Sequence, residues 1–566
     1  IILTYDSAPI SNEMTTPINP EADAVKKDYD LSQPLDTSSG LRQGLTSYGD
    51  AYFSLFLRKV SIKALGYSED ALPRPIIGII NTNSGFNPCH GNAPQLIEAA
   101  KRGVYLNGGI TIEFPTISLH EGFSHPTSMF LRTLMSMDTE EMIKAQPVDA
   151  CIMIGGCDKT VPAQIMGGIS ANKPILPLIT GPMMPGSNRG KRIGACTDCR
   201  NNWASFRAGT IDMEEIMGIN EELAPTGASA PAVSAARLRI AEQTGANAVA
   251  AAKAQRTPQA ILSAESFYNA AIVLQAISGS TNAMVDLMAV VNRHPELNGN
   301  FKWNVMSAQP FAPVAPPQPQ TITGETLGEV LDRSNFRDIE YSRSIIRTLS
   351  DPLYPCSSLA VVRGNIAPNG AVIKASASRE KSLHHHRGKA MVFENSKDLA
   401  LRLDDPGLEV IADSVLVLKG IGLIGNPGMP DAGMIPIPRK LAKQGVTDML
   451  RLSDGRMSGT AGGTILLHVS PESGIPDSPF GVVQNRDKIE LDLTNQSLEL
   501  LISEEELRQG ITLQKERLTV ANEGTEPSVW LERETCRGYR GLYERTVNQS
   551  HDGAYFDVLT ATGPKK

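Results

Sequence analysis

The sequence predicts an α/β chain in two parts. An N-terminal domain holds a mostly parallel sheet flanked by helices, and a C-terminal domain is β-rich and barrel-like. Three observations predict this. Between residues 75 and 179, apolar runs of strand length alternate with helical periodicities, the pattern of a sheet covered on both faces. A helical, alanine-rich tract over 228–295 and a proline-rich linker over 310–319 then interrupt that pattern. After about Ser357, short β runs separated by glycines dominate.

Each element follows in order. Residues 1–45 are polar, carry prolines and read as an arm. The α/β domain is expected over 46–356 and the barrel-like domain over 357–566. The run 75–80 is a buried strand. A helix follows over 92–102, with Ala93, Leu96, Ile97 and Ala100 on one face. Strand 110–114, a helix over 126–137, strand 148–154, a helix from Pro162 and strand 173–179 complete the alternation. In the second domain, strands are expected at 359–362, 371–374, 390–393, 414–418, 449–452 and 464–469.

Composition narrows the function classes. Of 566 residues, 41% are hydrophobic and 20% charged, ordinary for a globular protein. The net charge is -8 and no long basic run occurs, so nucleic acid is not an expected partner. No stretch of about 18 apolar residues predicts a membrane span. Seven scattered cysteines, an odd number, argue against a disulfide framework and for a reducing compartment. The expected location is the cytoplasm. The mitochondrion is the alternative, because the sequence opens on Ile1 and a removed targeting peptide stays possible.

Reactive side chains gather where apolar strands give way to glycine-rich loops. These are the segment 81–89 ending in Cys89, Gly155-Gly-Cys-Asp-Lys-Thr160, and Leu452-Ser-Asp-Gly-Arg-Met-Ser-Gly-Thr460. In parallel sheets, ligands bind beyond the carboxyl ends of strands, where Cys89 and Cys157 fall. The thiolate of Cys157 suits iron–sulfur or zinc, and the carboxylate of Asp158 suits magnesium. With the amine of Lys159 beside them, the loop points to a Lewis-acid enzyme. Other residues have plainer readings. Cys196 and Cys199 read as structural thiols, since no second Cys-Xaa-Xaa-Cys exists for a zinc ribbon. Cys151 and Cys356 read as buried apolar residues, and His384–His386 as solvated or anion-contacting. Arg451 and Arg456 read equally as surface residues and as contacts for a substrate anion.

Together with Gly279-Ser-Thr-Asn-Ala283 and Pro427-Gly-Met-Pro430, these loops resemble the dihydroxy-acid/sugar-acid dehydratase family, which includes 6-phosphogluconate dehydratase. The resemblance runs from about Ser47 to Leu500. Thr197-Asp-Cys199 and Trp203 make it look more like the pentonate (L-arabinonate/D-xylonate) branch. It implies a hydro-lyase that removes the C2 proton and 3-hydroxyl of an aldonic acid and yields a 2-keto-3-deoxy acid. It further implies an iron–sulfur cluster, two-iron in preference to four-iron, whose open iron binds the 3-hydroxyl. A magnesium ion would hold the carboxylate and 2-hydroxyl. By the same resemblance Cys89 and Cys157 are cluster ligands, and Glu121, Asp158 and Asp431 bind magnesium. Lys159 is carbamylated into an oxygen ligand, and Ser458 is the base. Ser280, Thr281 and Thr460 stand near the substrate. A homodimer or homotetramer is implied, with the site near a subunit interface.

The sequence also departs from that pattern. The segment expected to carry a third cluster cysteine, after 220–226, is absent; Thr226 runs straight into Gly227-Ala-Ser-Ala-Pro231. A helical stretch expected between Val305 and Pro319 is replaced by the proline-rich linker, and Asp431 stands where Glu is expected. Two alternatives therefore stay open: a dihydroxy-acid dehydratase of branched-chain amino-acid synthesis, and an inactive homologue that lost its cluster.

Overall fold

The computed structural model describes residues 31–32, 34–45, 48–184, 186–194, 197–223, 234–299, 301–303, 321–333, 347–348, 350–354, 357–520 and 528–563. The linker 310–319 and the segment from Thr226 to Pro231 lie outside the described residues. So do Cys196 and Cys356.

Four strands form the first sheet: β1 (Ile76–Asn81), β2 (Ile110–Pro115), β3 (Ala150–Gly155) and β4 (Ile175–Ile179), in the order β2-β1-β3-β4 and all parallel. β1 and β3 read as unbroken apolar runs because both sheet faces are covered. Alternation still sorts their side chains. Ile77 and Ile79 pack with Leu96 and Ala100 of helix Ala93–Leu106 and Val249 of helix Ala235–Ala254. Ile76 and Ile80 face the opposite way, against Leu55 and Ile62 of helix Ala51–Ala64 and Ile143 of helix Ser128–Ala145. A small hairpin, β5 (Gly186–Asn188) with β6 (Lys191–Ile193), then precedes helices Thr197–Ala208 and Met213–Leu223.

The second sheet is a closed eight-stranded barrel. Its strands are β7 (Ala360–Gly364), β8 (Ala367–Ile373), β9 (His385–Phe393), β10 (Val415–Leu418), β11 (Arg451–Ser453), β12 (Ile465–Ser470), β13 (Lys488–Asp492) and β14 (Ser497–Leu500). They close in the order β10-β11-β12-β8-β7-β14-β13-β9. Val362, Ile373, Val392, Val417, Leu452, Leu466, Ile489 and Leu498 form its core. Closure removes the exposed edges that so many short strands would otherwise leave.

The C-terminal region is less purely β than its glycine-punctuated sequence suggests. Helices Glu504–Thr519, Val529–Thr535 and Gly538–Thr546 follow the barrel. The first starts at a capping box between Ser503 and Glu506, a signal present in the sequence. The tail then packs against the helices of the first sheet. The Tyr539 hydroxyl donates to the Phe130 carbonyl at 2.8 Å, and the buried Arg132 donates to the carbonyls of Gly553 and Ala554 at 2.6 and 2.7 Å. One core joins Phe130, Met284 and Trp303 to Tyr543 and Phe556. Among the described residues no helix is long and apolar enough to cross a membrane.

Candidate active site

Neighbouring parallel strands β1 and β3 release their chains at the same sheet end, which brings Cys89 and Cys157 together. Cys89 sits in the short turn Pro88–His90 after β1, and Cys157 stands two residues past the end of β3. His90 ties the two loops. Its Nδ1 lies 2.8 Å from the Thr82 carbonyl and its Nε2 accepts the Gly156 N–H at 3.0 Å. Gly156 has a steric reason to be glycine: a Cβ there would stand 1.7 Å from Thr180 Oγ1. The thiols of Cys89 and Cys157 hydrogen-bond each other. That bond, opposed by burial and helped by His120, lowers the Cys89 thiol to about 6. The same bond and burial push the Cys157 thiol far up.

Both thiols line a cavity of about 840 Å³. Four carboxylates line it too: Glu121, Asp158, Asp286 and Asp431. Glu121 accepts the Ser128 N–H at 3.1 Å and pairs with Arg456. Burial works to raise its carboxyl, but Arg456 and the Ser128 bonds outweigh that and hold it low. Asp431 has one oxygen 3.0 Å from the Arg200 guanidinium. The other, 3.8 Å from Arg456, is buried and has no hydrogen-bond partner. Burial raises the Asp431 carboxyl and the facing charges of Glu121 and Asp158 add to this, more than Arg456 and Arg200 offset.

Lys159, 1% exposed, places its amine 3.1 Å from Asp286 and 3.6 Å from Asp158. Asp286 also takes the fully buried Arg132. Burial opposes ionisation of Asp286, but the two cations keep its carboxyl below its usual range. The loop after β11 carries Ser458, whose hydroxyl is 3.2 Å from that of Thr460. Three contacts fix this loop. Lys374 donates to the Gly459 carbonyl at 2.9 Å, and Asn282 donates to the Met457 carbonyl at 3.1 Å. Ser280 packs so close that a Cβ on Gly459 would come 2.6 Å from its own Cβ.

Cys89, Cys157, Glu121, Asp158, Lys159, Asp431, Ser458 and Ser280 therefore all line one cavity. Ser280 also caps helix Thr281–Val291, accepting the Asn282 N–H. Thr281 is buried behind the cavity in the first helical turn, and Thr460 lines a neighbouring cleft instead. Cys199 is exposed on helix Thr197–Ala208 and is not part of the cavity wall. Cys151 is fully buried in the sheet, and burial pushes its thiol up to about 12. The surface reading of Arg451 and Arg456 is corrected: they are 3% and 2% exposed, held by Asp448 and by Glu121 with Asp431. Asp286, Arg132 and His120 were not foreseen. His120 adjoins Glu121, but no spacing rule links Asp286 or Arg132 to Lys159, because folding alone brings those helices together.

The carboxylates suit a hard divalent cation. They are oxygen donors around one cavity, and Asp431 keeps a buried oxygen without a partner. As placed, no three His, Cys, Asp or Glu side chains among the described residues already converge as a ligand set; Arg456 and Arg200 engage Glu121 and Asp431 instead. A cluster held by three thiolates does not fit the described residues, which bring two thiols to the cavity and no third.

Family comparison agrees with this geometry. Residues 74–229 and 223–309 match the N-terminal domain of the dihydroxy-acid/6-phosphogluconate dehydratases, and residues 344–554 match their C-terminal domain. The chain is 35% identical to an L-arabonate dehydratase of Azospirillum brasilense, over 86% of this chain and 91% of the relative. It is 33% identical to a 6-deoxy-6-sulfo-D-gluconate dehydratase of Pseudomonas putida, over 87% and 92%. A dihydroxy-acid dehydratase of Clostridium botulinum is 28% identical, over 87% and 96%. Matched across both domains, with the cavity assembled from the loops that carry the family's motifs, the chain belongs to the dihydroxy-acid/6-phosphogluconate dehydratase family.

Proposed function

We propose that this chain is a hydro-lyase that dehydrates an aldonic acid, a pentonate or a close relative, to a 2-keto-3-deoxy acid. The observation that carries this reading is the meeting of Glu121, Asp158, Asp431, Lys159 and Ser458 around one cavity. The higher identity to the two sugar-acid dehydratases than to the dihydroxy-acid dehydratase favours a sugar acid.

Glu121, Asp158 and Asp431 would hold Mg²⁺, with Lys159 as a further oxygen ligand once carbamylated. Bound there, the ion would polarise the substrate carboxylate and acidify the C2 proton. Ser458, which lines the same cavity, takes that proton from C2. Arg456 keeps Glu121 ionised for its role, and Asp286, itself paired with Arg132, holds the Lys159 nitrogen in place. Ile165, Leu287 and Val290 give the cavity an apolar lining. No step is assigned to an iron–sulfur cluster, because the described residues supply two thiols.

That same deficit favours a second reading, a homologue that keeps the fold and the magnesium carboxylates but not dehydration. Incubating anaerobically purified protein with Mg²⁺ and a panel of pentonates and hexonates separates the two. The first reading expects a 2-keto-3-deoxy product from at least one aldonate. Its absence throughout, from protein that binds Mg²⁺, would support the second.

A further inference from the structure

Two arginines already stand at Asp431. Its Oδ2 accepts from the Arg200 guanidinium at 3.0 Å, and its Oδ1 lies 3.8 Å from Arg456. The same carboxylate is a proposed ligand for a divalent cation. Magnesium binds carboxylate oxygens at about 2.0–2.1 Å and demands near-octahedral space around itself. A dication at that distance repels both guanidinium groups. The carboxylate is only 21% exposed, so that repulsion is weakly screened.

The two arginines are not equally able to give way. Arg456 is 2% exposed, donates from Nε to the Met429 carbonyl at 2.7 Å and pairs with Glu121. Arg200 is half-buried, and its other polar contact among the described residues is with the Met434 sulfur, at 3.9 Å. It reaches Asp431 from helix Thr197–Ala208, none of whose residues is buried. That helix is tied down without it. The Thr197 hydroxyl donates to the Thr460 carbonyl at 3.0 Å, and Arg207 pairs with Asp404 at 2.6 Å. The Asp431 loop is also held without it. The Gly433 N–H donates to the Arg456 carbonyl at 2.8 Å, and a Cβ on Gly433 would stand 2.6 Å from Leu467 Cδ2. Turning the Arg200 side chain away therefore undoes neither element. It also has room to turn, because Arg200 lines the neighbouring cleft of about 600 Å³ and not the cavity itself.

We infer that Arg200 and the divalent cation compete for Asp431: the ion displaces the guanidinium into the neighbouring cleft, and Arg200 thereby sets how tightly the site takes its metal. Arg200 acts through Asp431 and touches no reacting atom. The inference rests on the reading of Asp431 as a metal ligand, and both of its tests read the ion rather than turnover.

In the first test, Mg²⁺ is titrated calorimetrically into the full chain and into Arg200→Gln at neutral pH. Loss of one competing charge is expected to tighten binding by about tenfold or more. Equal or weaker binding in the variant would overturn the inference, since a guanidinium that helps Asp431 hold the ion weakens binding when removed. In the second, wild type is labelled with phenylglyoxal, and the adduct at Arg200 is followed by mass spectrometry with and without saturating Mg²⁺. The expected result is faster labelling with Mg²⁺ by about threefold, the ratio of a fully exposed side chain to one 28% exposed, with Arg207 on the same helix unchanged. Labelling of Arg200 that is unchanged or slowed by Mg²⁺ would show that the guanidinium stays, and would overturn the displacement. Mg²⁺ binding that Asp431→Asn weakens but Arg200→Gln leaves alone would defeat this inference only. Binding indifferent to both substitutions would defeat the reading of Asp431 as a ligand as well.

Discussion

Asp431 presents one carboxylate oxygen to Arg200 and keeps the other buried without a hydrogen bond, facing Glu121 and Asp158. Burying a polar group without a partner costs free energy, and a cation among three carboxylates removes that cost. Asp431→Asn is therefore expected to weaken Mg²⁺ binding at least tenfold by calorimetry, while Asp431→Glu retains it. Equal affinity in wild type and Asp431→Asn would place the ion elsewhere. Ser458 stands on a loop held by Lys374, Asn282 and Ser280 rather than by its own hydroxyl. Ser458→Ala is thus expected to lower turnover by about 100- to 10,000-fold, the usual worth of a positioned base, with the thermal unfolding midpoint unmoved. A variant as active as wild type would remove Ser458 from the chemistry.

The loops depend on the elements that deliver them. Parallel β1 and β3 set Cys89 beside Cys157, and Gly156 lets that loop pass against Thr180. Gly156→Ala is expected to cost about 1–3 kcal/mol through the forced shift. It should also slow thiol alkylation near neutral pH, because the contact that lowers the Cys89 thiol is disturbed. Unchanged alkylation would show that the contact tolerates the shift. These strand-to-loop junctions were legible in the sequence because apolar runs end abruptly at Gly155-Gly156 and at Asn81. The barrel strands at 360–364 and 465–470 were legible for the same reason. The β13–β14 hairpin was not: Lys488–Asp492 and Ser497–Leu500 mix charged residues with apolar ones in half-buried alternation. The partnership of Lys159 with Asp286 was also hidden, since it arises from packing helix Thr281–Val291 against helix Thr160–Ala171.

The molecule as a whole is closed by buried charge. Arg132 links helix Ser128–Ala145, Asp286 and the C-terminal turn at Gly553 and Ala554. Asp286→Asn leaves the fully buried Arg132 without its carboxylate. It is expected to destabilise by about 3–5 kcal/mol, read as a lower thermal midpoint. Glu472 makes a second whole-chain prediction. Burial and then the neighbouring Asp454 raise its carboxyl from 4.5 to about 7. Between those values the folded chain holds a proton that the unfolded chain has released. Stability therefore falls as pH rises through this window, by about 3 kcal/mol in all, and the loss is complete above about pH 7. The urea midpoint of wild type should drop between pH 5 and 7 relative to Glu472→Gln; parallel curves would contradict the raised value.

The cavity's described residues bear most directly on removal of the C2 proton, a step separable from departure of the 3-hydroxyl. The decisive measurement is proton NMR of pentonates and hexonates in D₂O with anaerobically purified protein and Mg²⁺. Loss of the C2 proton signal from at least one aldonate, absent with Ser458→Ala, is the predicted result. Full retention of that proton in every aldonate, by folded protein that binds Mg²⁺, would contradict the account.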